Sequence, residues 1–346
     1  MSETPRGVAV CTVTHDDAAH LEGWARALGA VDGAGLGLEV VVVDCASSDD
    51  TRERLDRLEL PWPTRVVPLD ENLGFAGGMN AALAACSASA RWVLSLNPDA
   101  RSEPSAIAAL VASHRRWSAR GLRIGSVTGR LERDRAPGEP PRLDACGMRL
   151  SPTWRHFDRG SGAIDRGQYA RAEEVFGGTG AATLYDRVAL ADVAVEGAVY
   201  DADFHTFRED AELAFRLRER GWACVFEPAA RVVHRRCNLP ERRRRMSPLV
   251  NLHSLKNRYL LRLYHQTPLN VLTTVLTAQA REAVIIAAVL LRERSSIDAW
   301  RWLWRHRRRL RRRAALIRAR RTAPAREIER WFWRDARELP DAGSAR

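Results

Sequence analysis

The run Leu38-Glu39-Val40-Val41-Val42-Val43 constrains this chain more than any other segment. Four consecutive valines leave neither side of the strand polar, so helices or further chain must cover both faces. A strand with one solvated face would alternate instead. Around this run the first hundred residues read as strand, helix, strand, helix. Residues 8–13 predict a strand and 18–30 a helix with Leu21, Trp24, Ala25 and Leu28 as its apolar positions. Residues 51–58 follow as a short helix, 65–68 as a strand, 78–86 as an alanine-rich helix and 92–96 as a strand. That order predicts an α/β fold with a parallel, doubly wound sheet.

In such a sheet ligands bind in the crevice beyond the carboxyl ends of the strands. Asn97-Pro98-Asp99 falls there, because proline cannot continue the central strand before it. A carboxylate at that point can hold a divalent cation, and the cation a diphosphate. Alone, the tripeptide also fits an Asx-type turn. Asp44 ends the second strand, where a carboxylate can accept from a nucleobase imide or a ribose hydroxyl. Ser48 or Asp49 suits the N-cap of the next helix, for which Asp44 lies too early. The stretch from Asn72 through Gly74, Gly77 and Gly78 to Asn80 reads as a glycine-rich turn able to aim amides at phosphate. It has neither the Gly-Lys-Ser/Thr ending of a phosphate loop nor the Gly-x-Gly-x-x-Gly placement of a dinucleotide fold, which argues against both classes.

A later helix is expected from about Thr206 to Arg220, ending at Gly221. Thr206 and Glu209 have capping-box spacing. Asp210 shares a face with Leu213, Ala214 and Leu217, which points a carboxylate toward the core in the first turns. The positive end of the helix dipole would keep it ionised as a general base; a structural salt bridge is the alternative. His234 follows a short apolar strand, where a histidine serves structure as readily as ligation. Residues 121–176, rich in glycine, proline and mixed charge, read as a variable connection with a small β element.

The net charge of +12 is concentrated late: residues 292–321 hold thirteen arginines against Glu293 and Asp298. Everything after Met246 has a helical pattern. Residues 269–291 are long enough to span a bilayer, but Arg281 and Glu282 lie near the middle at about 2.5–3.5 kcal/mol per charge. Helices lying on a membrane or packed on the catalytic domain are therefore expected. Trp300, Trp302 and Trp304 before the arginines suit an anionic interface, and a solvated basic helix is the plainer alternative. No nucleic-acid module accompanies the arginines, so no nucleic-acid partner is expected. The six cysteines lack metal-finger spacing and read as reduced thiols, and the N-terminus lacks the apolar segment of a signal peptide.

Taken in order, Val13-Thr14-His15-Asp16, Val43-Asp44 with Ser47, Ser48 and Asp49, Asn72 to Asn80, Leu96-Asn97-Pro98-Asp99, Gly178 to Leu184, Glu209-Asp210-Ala211-Glu212-Leu213 and Val233-His234 resemble the family 2 glycosyltransferases. The likeness is nearest to the bacterial rhamnosyltransferase-like branch and spans residues 7–265. It implies a GT-A fold, a doubly wound mixed sheet, with a catalytic domain at 7–240 and a basic helical extension at 246–335. Residues 7–100 would form the nucleotide half and 101–240 the acceptor half. The implied reaction is inverting transfer of a sugar, rhamnose in that branch, from a nucleotide-diphosphate donor to a hydroxyl of a glycan or lipid-linked acceptor in cell-envelope polysaccharide synthesis. Carried over, Thr14, Asp16, Asp44, Asn72, Gly74, Gly77, Asn80 and Asn97 would line the nucleotide and donor site. Asp99 and His234 would hold Mg²⁺ or Mn²⁺, Asp210 would be the base, and Gly178 and Glu209 would lie on the acceptor side. Two departures stand out: Asn97-Pro98-Asp99 has one acid fewer than the family's Asp-x-Asp, and His15-Asp16 replaces an aromatic-Asn pair. The implied location is the cytoplasmic side of the inner membrane, held peripherally through the basic helices. A nucleotidyltransferase on a similar sheet, or an inactive nucleic-acid binder, is the competing reading.

Overall fold

The computed structural model describes residues 7–33, 35–236, 248–291 and 296–339. Cys237, Met246, Arg292 and Arg294 lie outside these residues. Strand β1 (Gly7–Thr14) leads to helix α1 (Ala18–Gly29), β2 (Leu38–Cys45) to α2 (Thr51–Asp56), and β3 (Thr64–Leu69) to α3 (Gly74–Ala85). Next come β4 (Ala90–Leu96), the short β5 (Ala100–Ser102) and α4 (Ala106–Ala119). These strands stand in the order β3-β2-β1-β4, all parallel. The valine run explains why. Val40 and Val42 enter the core cluster of Leu21, Trp24 and Leu110, whereas Val41 and Val43 enter that of Ala76, Met79 and Ala82. Helices α1 and α4 thus cover one face and α3 the other, and no side of β2 meets water.

The sheet continues through β6 (Ile124–Arg133), with β7 (Leu143–Ala145) on its margin and a separate hairpin of β8 (Met148–Ser151) and β9 (Arg155–Asp158). Then follow β10 (Glu173–Val175), β11 (Ala182–Asp186), helix α5 (Arg187–Val193), helix α6 (Glu209–Glu219) and β12 (Ala223–His234). Strand β11 runs antiparallel between β4 and β6, while β12 runs parallel to β6, so the sheet is mixed. One strand covers 223–234 where two short ones were expected.

The chain ends in helices α7 (Pro248–His265), α8 (Pro268–Leu291), α9 (Ile297–Ala319) and α10 (Ala325–Glu329), followed by β13 (Ala336–Glu338). The tail is therefore not all helical: β13 pairs antiparallel with β10 and forms the far edge of the main sheet. Trp331 and Phe332 join Phe176, Phe215 and Tyr264 in one buried cluster. Buried ion pairs reinforce it. Glu212 holds Arg216 on α6, His265 of α7 binds Glu219 at 3.0 Å, and Arg321 binds Glu219 at 2.7 Å.

Helix α8 is built inside out. Its buried positions are Asn270, Thr274, Ala278 and Val289, while Leu272, Leu276 and Leu291 are 74%, 83% and 80% exposed. Glu282, at its centre, is drawn inward by Arg258 at 2.8 Å, Arg262 at 3.1 Å and the Tyr259 hydroxyl. It is the one helix among the described residues that is long and apolar enough to cross a membrane. Helix α9 instead packs on the body. Arg309 and Arg313 bind Asp203 and Asp201, Trp302 sits under Lys256, and of the three tryptophans Trp304 is the exposed one. Arg309 and Arg313 thus have partners on the body, while most arginines of α9, Arg305, Arg308 and Arg311 among them, are exposed. The five described cysteines are buried free thiols.

Candidate active site

Strands β1 and β4 are parallel neighbours at which the strand order reverses, β2 and β3 lying beyond β1 and the later strands beyond β4, so a crevice opens beyond their carboxyl ends. A cavity of about 520 Å³ lies there, lined among others by Val13, Phe75, Asn97, Asp99, Glu209, Asp210 and His234. Five of the residues expected at a site, Asn97, Asp99, His234, Glu209 and Asp210, are brought together from three separated segments.

Asp99 follows β4 and meets the end of β12, where His234 Nε2 stands 3.2 Å from its carboxylate. The other ring nitrogen, Nδ1, lies 2.7 Å from Asp144. Burial alone would lower His234, but the hydrogen bonds to Asp144 and Asp99 raise it to about 9. Burial would raise Asp99, and the His234 bond and charge outweigh it and hold the carboxyl below its usual range. Arg236 extends the chain, binding Asp144 at 2.8 Å and Asp158 at 2.6 Å. A carboxylate on the far nitrogen of a histidine is the arrangement that orients a metal-ligating imidazole. No group of three or more His, Cys, Asp or Glu side chains placed for a metal occurs among the described residues. Asp99 and His234 therefore fit a cation only as two of its ligands, which suits a hard cation that takes its remaining ligands from phosphate and water.

Asp210 lies in the first turn of α6 and accepts the Gly180 amide at 3.1 Å and the Ala211 amide at 2.7 Å. Burial, then the charge of Asp158, outweigh these bonds and raise it to about 6. Glu209 beside it is buried and pushed well above the usual range by burial and by Asp210. The capping box is absent. Helix α6 starts at Glu209, and its N-cap is Arg208 in a left-handed conformation, with no side-chain cap. His205, Phe207 and Arg208 all have positive φ. Asn257 of α7 holds this segment, its amide nitrogen lying 2.8, 2.8 and 2.6 Å from the carbonyls of Phe204, Thr206 and Phe207.

The remaining expected residues are placed otherwise. Thr14 and Asp44 are buried at the ends of β1 and β2, outside the lining of the cavity. Thr14 donates to the Val43 carbonyl at 3.4 Å, and Asp44 accepts from the Ser47 hydroxyl at 2.5 Å. Asp16 accepts the Ser48 amide at 2.7 Å and so ties the loops after β1 and β2 together. The glycine-rich turn is in fact the first two turns of α3. Asn72 accepts the Gly74 amide at 2.8 Å, and the His205 carbonyl accepts the Ala76 amide at 2.9 Å, so two of the amides expected to face phosphate are engaged. Gly74 has φ +67°, and a Cβ there would lie 2.5 Å from the His205 carbonyl, which is why only glycine fits. Gly77 packs on Leu73 within the helix. Asn80 uses both ends of its amide on the Tyr200 backbone, at 2.8 and 2.9 Å. Gly178 lies in close contact with Thr183 and Thr128. Asp144, Asp158, Arg236 and Asn257 were not anticipated: three fall in or beside segments without pattern, and Asn257 is one polar residue on an ordinary helix.

A mixed sheet in the order β3-β2-β1-β4-β11-β6-β12, with carboxylates at its switch point, is the GT-A architecture of nucleotide-sugar-dependent transferases. The chain belongs to glycosyl transferase family 2, whose profile matches residues 10–193, more than half of its length. It is 26% identical over 244 residues to the N-acetylglucosaminyl-diphospho-decaprenol L-rhamnosyltransferase of Mycobacterium tuberculosis, covering 66% of this chain and 76% of that protein. Its fold is similar to that of S. aureus TarS 1-349 in complex with UDP-GlcNAc, with a TM-score of 0.55 at 13% identity, covering 94% of this chain and 90% of that one. It is also similar to the mannosyltransferase PcManGT of Pyrobaculum calidifontis in complex with GDP-Man and Mn²⁺, with a TM-score of 0.51 at 17% identity, covering 95% and 88%.

Proposed function

We propose that this chain is an inverting glycosyltransferase that moves a sugar, rhamnose as in the mycobacterial relative, from a nucleotide-diphosphate donor to a hydroxyl of a glycan or lipid-linked acceptor of the cell envelope. The observation that carries the reading is a carboxylate poised near 6, Asp210, in the same cavity as the Asp99–His234 pair. A base needs a pKa close to the working pH, so that it is ionised yet still basic enough to take a proton. Asp210 removes the proton from the acceptor hydroxyl as that oxygen attacks the anomeric carbon from the side opposite the leaving group. The Gly180 and Ala211 amides fix the carboxylate while it does so.

Asp99 and His234 would hold Mg²⁺ or Mn²⁺, which when bound supplies positive charge to the departing diphosphate. Asp144 keeps the His234 ring oriented toward Asp99. Asp44, Asp16 and Thr14, at or just beyond the ends of β1 and β2, form the nucleoside end, and Asn97 lines the cavity on the donor side. The exposed apolar side of α8 supports contact with a membrane.

The test is a panel of dTDP-, UDP- and GDP-sugars with Mg²⁺ or Mn²⁺, following release of nucleoside diphosphate. Glycosyl transfer liberates the nucleoside diphosphate intact. Release of inorganic pyrophosphate instead would identify a nucleotidyltransferase and end this reading.

A further inference from the structure

A second cavity, of about 320 Å³, opens beside the first and shares Arg155, Arg208 and Ser254 with it. Its two sides differ in chemistry. Helix α8 contributes an apolar wall through Val284, Ile285 and Val289, while Arg258 of α7 and Arg281 of α8 supply charge. No acid lines it among the described residues.

Arg258 is 4% exposed and gives one nitrogen to Glu282, yet its Nε and Nη2 have no hydrogen-bond partner among the described residues. The Nε of Arg281 is in the same state. Glu282 cannot satisfy them, because it also serves Arg262 and Tyr259. Buried guanidinium donors without acceptors are costly. Buried, unanswered and carried by residues that line a cavity with an apolar wall, they ask for a ligand that is multiply anionic at one end and hydrocarbon beyond it.

We propose that this cavity binds the diphosphate and the first isoprenoid units of a lipid-diphosphate acceptor. Arg258 and Arg281 bind phosphate oxygens through forked, charge-assisted hydrogen bonds, and the wall of α8 covers the start of the chain. The exposed side of α8, with Leu290 and Leu291 at its end, continues toward the bilayer from which the lipid comes. The sugar carried on the diphosphate then reaches through the shared Arg155–Arg208 mouth toward Asp210. This assignment rests on the glycosyltransferase reading for its direction, though not for the binding itself.

The experiment measures binding of farnesyl diphosphate to the full chain without detergent, in EDTA so that no divalent cation contributes at Asp99. Inorganic pyrophosphate and farnesol are the comparators. Farnesyl diphosphate should bind at least about tenfold more tightly than either, and Arg281→Gln should weaken it by about tenfold or more, as expected for a lost charged hydrogen bond. Val284→Asp is the second variant: Val284 is 58% exposed, so a carboxylate there spares the packing while repelling the diphosphate at the mouth. Equal affinity in the wild type and both variants overturns the proposal. So does pyrophosphate binding as tightly as farnesyl diphosphate, which would mark a site for free anions, or farnesol doing so, which would mark plain apolar adsorption. Nucleotide-sugar binding with Mg²⁺, measured on the same proteins, separates the two readings. If no nucleotide-sugar binds while the farnesyl diphosphate pattern holds, the lipid-diphosphate site stands and the glycosyltransferase reading fails.

Discussion

Asp210 sits between opposing influences: two backbone amides favour its charge, while burial and Asp158 oppose it and prevail. Its raised value fixes the sign of the pH response. A base works only when ionised, so kcat/KM should climb with pH and level off above about 6, the rising limb belonging to the Asp210 carboxyl. A plateau already complete at pH 5 would sink the assignment. Asp158→Asn removes a charge that holds the value up and should move that limb toward acid. Asp210→Asn keeps the shape but cannot accept the proton. Turnover should fall by at least about 10²-fold, the smaller end of general-base effects, with donor affinity unchanged. The facing positions of Asp99, His234 and Asp210 follow from motifs that the chain displays openly. Asp144 and Asp158 do not, because they reach the cavity from β7 and β9, in a region whose glycines and mixed charges carry no period to read.

At the scale of elements, the segment before α6 is the part most in need of support. Three residues in four, His205, Phe207 and Arg208, have positive φ, at a cost of order 1–3 kcal/mol each. Asn257, reaching across from α7, supplies the donor that three of the segment's carbonyls share. Asn257→Leu keeps the volume and deletes the donor. It should lower stability by about 1–3 kcal/mol, the cost of leaving buried acceptors unmet, and lower kcat more than it alters donor affinity. Calorimetric melting and steady-state kinetics on the same variant would show it; an unchanged kcat would mean that the segment holds its shape unaided. The sequence pattern located α6 but placed its start three residues early, since Thr206-x-x-Glu209 satisfies a capping rule that the tertiary clamp overrides. The same override applies to α3. Its glycines read as a turn, yet they are helical because Gly74 must pass close to His205, a contact between segments more than a hundred residues apart.

The whole molecule depends on its C-terminal extension in two ways, and they can be separated. Inside, Leu310, Ile317, Ile328, Trp331 and Phe332 close the aromatic cluster over Phe176 and Phe215, and β13 completes the sheet. Each such side chain contributes about 1.5–3 kcal/mol by burial. Five of them therefore approach the whole stability of an ordinary domain, about 5–15 kcal/mol. A chain ending at Gln266 should consequently fail to fold, rather than behave as a soluble catalytic domain. Outside, α8 turns Leu272 and Leu276 to the surroundings and its polar stripe to the protein, an arrangement that costs nothing inside when those leucines are changed. Leu272→Glu with Leu276→Glu should leave the melting temperature within a few degrees of wild type and abolish co-sedimentation with anionic phospholipid vesicles. Salt should release the wild-type protein only partly, because ion screening weakens contacts between charges and leaves apolar insertion intact. If the double variant still sediments with vesicles as wild type does, α8 is not the membrane contact, and its exposed leucines belong to an interface with another protein surface.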